Sequence, residues 1–371
     1  MKNITTVLLL IFSVSALCIV LQRCKEEEKI TKEALGKLIF FDSSLSEPSG
    51  QSCATCHRPE TAFTDTLGRA VSEGAVKGLF SKRNSMSIGY TSYVPPLALI
   101  DDNGDSIYAG GLFWDGRVDS LAQQAAEPFL DKLEMGNENE EAVVLKLIRT
   151  PYYKKFCEIY GDFPLSGEKR AENILKIYAC ALNALAAYQA SAEINKFNSR
   201  YDLYLEGKYT MTEAEAKGFE LFKEKGKCAE CHILDPDPIA GRVLFTDHTY
   251  DNLGLPKNPD NPFYGMDSIH NPDGRNYIDE GLMLTTGRES ERGLFRVPTL
   301  RNIAETAPYG HNGYFKTLAE IVRFYNVRDV SDEFPPAECP STVNKEELGN
   351  LGLTPEEEQY IIDFMGMLSD Q

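Results

Sequence analysis

The chain has 371 residues, a length that suits two domains better than one. Lys and Arg number 38 against 56 Asp and Glu, and the formal net charge of −18 argues against a nucleic-acid partner, because phosphates attract basic side chains. With 42% hydrophobic and 25% charged residues, the composition is that of a globular protein with a sizeable core. An acidic surface fits a basic protein partner, but solubility explains it equally well.

The N-terminal residues have the pattern of an export signal. Lys2 precedes an apolar run over residues 7–21, which is short for a bilayer span of roughly 20 residues but suits a signal peptide. We therefore expect residues 1–23 to be a signal peptide and the protein to be exported to the periplasm. Cys24 is a candidate lipid site that would attach the protein to the outer membrane, although Arg23 fits lipoprotein cleavage poorly. A plain signal peptide and an uncleaved anchor are the alternatives.

Beyond the signal, the sequence predicts helices separated by long irregular loops. The strongest helical periodicity of apolar side chains covers residues 172–194. The stretch 235–279 is rich in Pro, Asn, Asp and Gly without a sustained period, and we expect a loop there. In chain order, the predicted helices are 31–41, 172–194, 212–222, 318–325 and 354–368. The predicted fold class is therefore all-α.

Two short cysteine motifs carry the chemistry. They are Cys53-Ala54-Thr55-Cys56-His57 and Cys228-Ala229-Glu230-Cys231-His232. C-x-x-C-H attaches c-type haem, because two thiols three residues apart reach the two vinyl groups and the histidine ligates the iron. A zinc site made of two C-x-x-C pairs would leave both histidines unexplained, and a thioredoxin-like motif requires no histidine. The motifs predict two covalently bound haems, which also suits an exported protein.

The same order of elements occurs twice along the chain. A predicted helix and a loop precede Cys53, and a predicted helix and a shorter loop precede Cys228. This repeat predicts a duplicated cytochrome c module. We expect an N-terminal haem domain over residues 24–200 and a C-terminal haem domain over residues 201–371.

Several further segments resemble the bacterial di-haem cytochrome c peroxidases and the MauG-like enzymes of the same superfamily. The resemblance is carried by residues 113–117 (FWDGR), 121–125 (LAQQA), 133–136 (LEMG), 297–302 (VPTLRN) and 306–313 (TAPYGHNG). Their order and spacing agree with the family from about residue 35 to about residue 368. The resemblance implies an enzyme that reduces hydrogen peroxide with electrons from a small redox protein, either a cytochrome c or a cupredoxin.

The resemblance also implies a peroxide site at the haem on His57. Gln124, Pro128 and Glu134 are expected over the distal face of that haem. Glu134 would be the acid–base group that moves a proton between the peroxide oxygens, and Gln124 would orient the peroxide. Trp114, the only tryptophan, would lie between the two haems and relay electrons.

The haem on His232 is, by the same resemblance, the haem that stores an electron. Its sixth ligand is expected to be Tyr325, and a phenolate stabilises ferric iron relative to a thioether. The family further implies a calcium ion between the domains. Its oxygen ligands would come from Asn84, Thr306 and Pro308, the last two through backbone carbonyls.

Two departures from the peroxidases favour the MauG-like branch. Those enzymes carry a loop histidine that blocks the N-terminal haem iron until the other haem is reduced, but no histidine lies between His57 and His232. Lys82 and Met86 are the alternatives for a substitute ligand. Tyr325 stands where the peroxidases have methionine and MauG has tyrosine. MauG-like oxidation of a partner protein and electron transfer without a substrate therefore stay open as functions, and a homodimer stays open as the assembly.

Overall fold

The computed structural model describes residues 29–65, 69–102 and 104–371. The predicted signal peptide over residues 1–23 and the candidate lipid site at Cys24 lie outside the described residues. Residues Lys32–Gln371 cluster into one unit. In the part of the chain that the structure describes, no helix is long and apolar enough to cross a membrane.

Helices dominate the regular structure, as the all-α prediction expects, and local signals explain where several of them begin. Ser120, Thr212, Thr317 and Thr354 are N-caps whose side-chain oxygens accept a hydrogen bond from a backbone N–H of the first turn. The α-helices are α1 (Lys32–Phe40), α2 (Cys53–Cys56), α3 (Leu121–Leu130), α4 (Glu140–Leu147), α5 (Tyr153–Tyr160), α6 (Arg170–Gln189), α7 (Arg200–Leu205), α8 (Glu213–Lys223), α9 (Met283–Thr286), α10 (Leu318–Val327) and α11 (Pro355–Met365).

Two small antiparallel sheets depart from the all-α prediction. The strands are β1 (Ala98–Asp102), β2 (Asp105–Ala109), β3 (Tyr250–Asp251) and β4 (Phe295–Arg296). β1 pairs with β2 as a hairpin, and β3 pairs with β4 in the register that places Tyr250 opposite Arg296. β3 lies within the stretch 235–279, which is otherwise irregular as predicted, apart from the short 3-10 turns Pro262–Gly265 and Gly274–Asn276.

Helix α6 ends five residues before the predicted boundary at residue 194. Asn195 explains the early end, because its side-chain amide donates to the carbonyl oxygens of Gln189 and Ser191 at 2.9 and 3.0 Å. The first of these bonds satisfies the carbonyl of Gln189, which the helix leaves unpaired at its C-terminus. The predicted helix 354–368 is likewise divided, since α11 is followed by a 3-10 turn over Gly366–Leu368.

The helix that precedes each cysteine motif packs closely on a later helix. α1 contacts α6, and α8 contacts α11. A Cβ atom on Gly36 of α1 would collide with the carbonyl oxygen of Ala184, and one on Gly218 of α8 would collide with the carbonyl oxygen of Tyr360. Both crossings therefore require glycine, because only a missing side chain lets the two backbones approach so closely.

An aromatic pair lies one turn beyond each glycine. Phe40 packs edge-on against Tyr188 with ring centroids 5.2 Å apart, and Phe222 packs edge-on against Phe364 at 5.1 Å. All four side chains are buried. The same helix crossing thus occurs once before the first motif and once before the second. The division into two domains at residue 200 stays a prediction.

Candidate active site

The first cysteine motif forms a single helical turn that orients its histidine. Cys53–Cys56 is helix α2, and the backbone N–H of His57 donates to the carbonyl of Cys53 at 2.9 Å. His57 Nδ1 forms a 3.1 Å hydrogen bond with the carbonyl of Phe63, which leaves Nε2 available as a ligand. Burial lowers the pKa of His57, and the Phe63 carbonyl opposes this effect only in part. The neutral imidazole that ligates iron is therefore favoured.

The second motif repeats this arrangement. The backbone N–H of His232 donates to the carbonyl of Cys228 at 2.9 Å, and Nδ1 bonds the carbonyl of Phe245 at 2.8 Å. Burial lowers the pKa of His232 to about 4. Both motif histidines are thus held by a carbonyl on one nitrogen and are neutral at pH 7.

Each motif opens onto a cavity. The N-terminal cavity has a volume of about 470 Å³ and is lined by Cys53, Cys56 and His57. The C-terminal cavity has a volume of about 210 Å³ and is lined by Cys228, Cys231 and His232. None of these four cysteines is in a disulfide. Two free thiols and one neutral imidazole in each cavity wall fit the covalent attachment of a c-type haem.

The three residues predicted for the distal face all line the N-terminal cavity. Gln124 and Pro128 lie four residues apart on α3 and so share one face of that helix. Glu134 follows in the turn after α3. Its backbone is fixed on both sides, since its N–H donates to the Asp131 carbonyl at 3.1 Å and its own carbonyl accepts from Ala75 at 2.7 Å. The structure therefore brings these residues to the same cavity as His57.

Glu134 has the electrostatic properties of an acid–base group. Burial raises the pKa of its carboxyl group to about 7, the negative charge of Asp131 adds to this effect, and Arg117 opposes it. A carboxyl group with a pKa near neutrality can both accept and release a proton at physiological pH.

A charged network that sequence reasoning missed borders the N-terminal cavity. Arg83 donates to both carboxylate oxygens of Asp279 at 2.6 and 2.7 Å and to Asp115 at 2.6 Å. Arg117 donates to the other oxygen of Asp115 at 2.8 Å and to Glu127 at 2.8 Å. Arg117 and Asp115 belong to the FWDGR segment, which could have identified them. Asp279 lies in the predicted loop, where no local pattern marks it.

Tyr325 lines the same cavity as His232. It lies on α10 one turn after Ile321, which faces the same cavity. Burial raises the pKa of the Tyr325 hydroxyl, and the thiols of Cys228 and Cys231 add to this effect. Without a metal the side chain is therefore a neutral phenol, and its use as a phenolate ligand requires a cation that replaces the proton.

Trp114 lies in a wall that the two cavities share. Its indole Nε1–H donates to the backbone carbonyl of Asn84 at 3.0 Å, so its orientation is fixed. Its place between two haems stays a prediction.

The three predicted calcium ligands lie in the wall of the C-terminal cavity. The side-chain amide of Asn84 donates to the carbonyl of Ala70 at 3.1 Å, which leaves its Oδ1 as a free acceptor. Within residues 29–65, 69–102 and 104–371, the backbone carbonyls of Thr306 and Pro308 accept no hydrogen bond. These oxygens fit a hard cation.

Comparison with known proteins identifies the family. Residues 30–210 match the family described as di-haem cytochrome c peroxidase. The chain is 39% identical over 301 residues to methylamine utilization protein MauG of Paracoccus denitrificans, which covers 79% of this chain and 73% of MauG. It is 31% identical over 355 residues to cytochrome-c peroxidase IdrP1 of Denitromonas iodatirespirans, which covers 91% of this chain and 81% of IdrP1.

A solved structure agrees with these sequence relatives. The crystal structure of the diheme peroxidase BthA from Burkholderia thailandensis E264 matches with a TM-score of 0.78 at 30% identity, over 91% of this chain and 86% of that chain. The relatives include both cytochrome c peroxidases and MauG. The chain therefore belongs to the di-haem cytochrome c peroxidase family of oxidoreductases, a family that implies two haem cofactors.

Proposed function

We propose that this protein is a peroxidase that reduces hydrogen peroxide to two waters, with two protons and two electrons from a small cytochrome c or cupredoxin. One observation carries the proposal: Glu134, with a pKa of about 7, lines the same cavity as His57. An electron carrier needs neither an open cavity at its iron nor an acid–base group in that cavity. The arrangement therefore favours an enzyme over a carrier.

Each residue of the N-terminal cavity has a different role in the proposed reaction. Haem held by Cys53, Cys56 and His57 would supply the redox chemistry. The Glu134 carboxylate accepts the proton of the inner peroxide oxygen and returns it to the outer oxygen, so that the outer oxygen leaves as water. Gln124 orients the peroxide by hydrogen bonding from α3.

The C-terminal cavity is proposed to hold the electron-storing haem. His232 and Tyr325 would hold its iron, and their common cavity supports this assignment. Trp114, in the wall shared by the cavities, would relay electrons between the haems. We also propose that two haem domains meet near residue 200 and that the protein is exported.

A calcium ion is proposed at Asn84, Thr306 and Pro308. The support is the set of free oxygens in one cavity wall, contributed by segments far apart in the sequence. A cation at this position would tie the segment before Trp114 to the segment before α10.

A second function, MauG-like oxidation of side chains in a partner protein, is favoured by two observations. Tyr325 lines the C-terminal cavity at the position where the peroxidases carry methionine, and no histidine lies between His57 and His232. The chain is also 39% identical to MauG, which is a methylamine utilization protein. In this reading the N-terminal cavity acts on peroxide in the same way, but the electrons come from a partner protein.

Steady-state turnover separates the two functions. The protein with both haems attached is mixed with hydrogen peroxide and with reduced cytochrome c or reduced cupredoxin, and oxidation of the electron donor is followed. We expect sustained turnover with at least one donor and its loss in Cys53→Ala, which cannot attach the N-terminal haem normally. Peroxide consumption without sustained donor oxidation would contradict the peroxidase reading and support the MauG-like one.

A further inference from the structure

The two cavities share a wall with one charged side chain. The residues that line both cavities are Asn84, Ser85, Met86, Ser87, Thr91, Trp114 and Arg296. Arg296 is the only ionisable residue with a charge at neutral pH among them. Arg296 is the second residue of β4, and its backbone N–H donates to the carbonyl of Trp114 at 2.9 Å.

Arg296 is buried without a carboxylate partner. Its side chain makes one hydrogen bond within the described residues, from Nε to the carbonyl of Phe113 at 3.3 Å. The residue is 3% exposed, whereas Arg301, which is 2% exposed, pairs through two bonds with Asp202. Arg83 is likewise paired with two aspartates. Arg296 therefore differs from the comparably enclosed arginines of this part of the chain.

The surroundings of Arg296 do not supply the missing negative charge. The ionisable groups that interact with it are the hydroxyl of Tyr250, opposite it in the β3–β4 pair, and the imidazole of His248. Neither is an anion at neutral pH. Burial accordingly lowers the pKa of the guanidinium group. An unpaired buried charge is strongly unfavourable, so a stable protein should bring an anion to this position.

Haem carries such an anion, because its two propionate groups are carboxylates. A guanidinium group with free Nη1 and Nη2 atoms presents four N–H donors in a planar fork that suits carboxylates. We propose that Arg296 binds one propionate from each haem and so bridges the two cofactors through the wall that contains Trp114. This inference rests on the proposed haem binding, but it does not depend on peroxide being the substrate.

The bridge has an electrostatic consequence for both haems. A fixed positive charge beside an iron porphyrin favours the ferrous state, which has one positive charge fewer than the ferric state. If the same guanidinium group lies beside both haems, its removal should lower both reduction potentials. A purely packing role in the β3–β4 pair would leave the potentials unchanged.

The test compares Arg296→Gln with the wild-type protein, both with two haems. The reduction potential of each haem is measured by spectroelectrochemical titration. We expect both potentials to fall, each by enough to change the ferric-to-ferrous ratio at a fixed potential roughly ten-fold, which is about 59 mV for one electron. The matched control is Arg242→Gln, which removes one positive charge from an exposed side chain and should leave both potentials unchanged. A shift at only one haem, or at neither, would overturn the bridge.

Arg296→Lys keeps the proposal testable if the glutamine variant does not fold. Lysine retains the charge but cannot form the two parallel hydrogen bonds that a guanidinium group donates to a carboxylate. The propionate bending modes in the resonance Raman spectrum should therefore shift for both haems. Unchanged modes in a protein with two haems would overturn the proposal. A wild-type protein that holds both haems but does not reduce peroxide would refute the peroxidase function. The reduction potentials of Arg296→Gln and the Raman spectrum of Arg296→Lys would still test whether Arg296 binds both haems.

Discussion

Glu134 is the residue at which a single change should separate chemistry from cofactor binding. Glu134→Gln keeps the size of the side chain but removes its ability to accept a proton. We expect both haems to remain attached and peroxide turnover to slow by roughly 100-fold, the usual scale for the loss of an acid–base group. Turnover at saturating donor, together with haem content, checks this. Glu138→Gln, an exposed neighbour, is the control and should keep the wild-type rate.

The raised pKa of Glu134 also predicts a pH dependence. The carboxylate is the form that accepts the proton from peroxide, and with a pKa of about 7 this form is lost as the pH falls through that value. The rate of reaction with peroxide should therefore decrease below about pH 7, and Glu134→Gln should abolish this limb of the profile. A profile that is flat from pH 5 to 9 in the wild-type protein would show that another group moves the proton.

Tyr325 should determine the spectrum of one haem only. Tyr325→Phe removes the oxygen ligand, and Tyr325→Met replaces it with a thioether, which favours ferrous iron where a phenolate favours ferric iron. We expect the first change to alter the low-spin ferric spectrum of the His232 haem and the second to raise its reduction potential, with the His57 haem unaffected. A wild-type spectrum with the weak near-infrared band of His/Met ligation would exclude tyrosine as the ligand.

The residues of the site that lie in recognisable sequence motifs could be predicted from the sequence. The two motifs and the positions of Gln124, Glu134 and Tyr325 follow from such segments, and the structure puts each of them in a cavity with a motif histidine. Arg296 was missed, because its significance comes from the absence of a partner in three dimensions rather than from a pattern. Asp279 was missed for a similar reason, since its partner Arg83 is distant in the sequence.

The stability of the repeated helix crossing should be sensitive to the addition of one methyl group. In Gly36→Ala and in Gly218→Ala the new Cβ meets a backbone carbonyl that cannot move independently of its helix. We expect each change to lower the free energy of unfolding by about 1–3 kcal/mol, the typical cost of overpacking. Denaturant unfolding followed by haem absorbance measures this. Gly265→Ala, where the added Cβ meets open space, is the control, and a loss of the same size there would contradict the packing argument.

The elements differ in how well local sequence specifies them. Thr212, Thr317 and Thr354 mark their helix starts because a cap acts on N–H groups of the very next turn. β3 and β4 could not be predicted from periodicity, since each has two residues and its partner strand is remote in the chain. The β1–β2 hairpin did have a local signal, the dipeptide Asn103-Gly104, which favours a tight turn between strands.

Calcium should tie together segments that are far apart in the sequence. Exhaustive chelation should lower peroxide turnover while haem content stays intact, because the proposed ligands at Asn84, Thr306 and Pro308 do not attach haem. Re-addition of Ca²⁺ should restore the rate, and Asn84→Ala should weaken the binding of Ca²⁺. If chelation changes neither the rate nor the spectrum, the calcium site is wrong.

We propose that the iron of the His57 haem is open to peroxide in the resting enzyme, and two residues remain that would otherwise block it. Lys82 and Met86 both line the N-terminal cavity. The Lys82 ammonium group is exposed and lies 5.9 Å from the ring centroid of Phe263, and it would have to lose its proton to bind iron. Methionine binds ferric iron weakly. We therefore expect neither residue to ligate the ferric iron in place of the loop histidine.

Electron paramagnetic resonance of the fully oxidised protein measures whether the iron of the His57 haem is open. We expect one high-spin ferric signal from the His57 haem and one low-spin signal from the His232 haem, together with immediate reaction of the ferric protein with peroxide and ready binding of cyanide. Two low-spin signals, with reaction towards peroxide only after one haem has been reduced, would show that a ligand blocks the iron of the His57 haem in the resting enzyme.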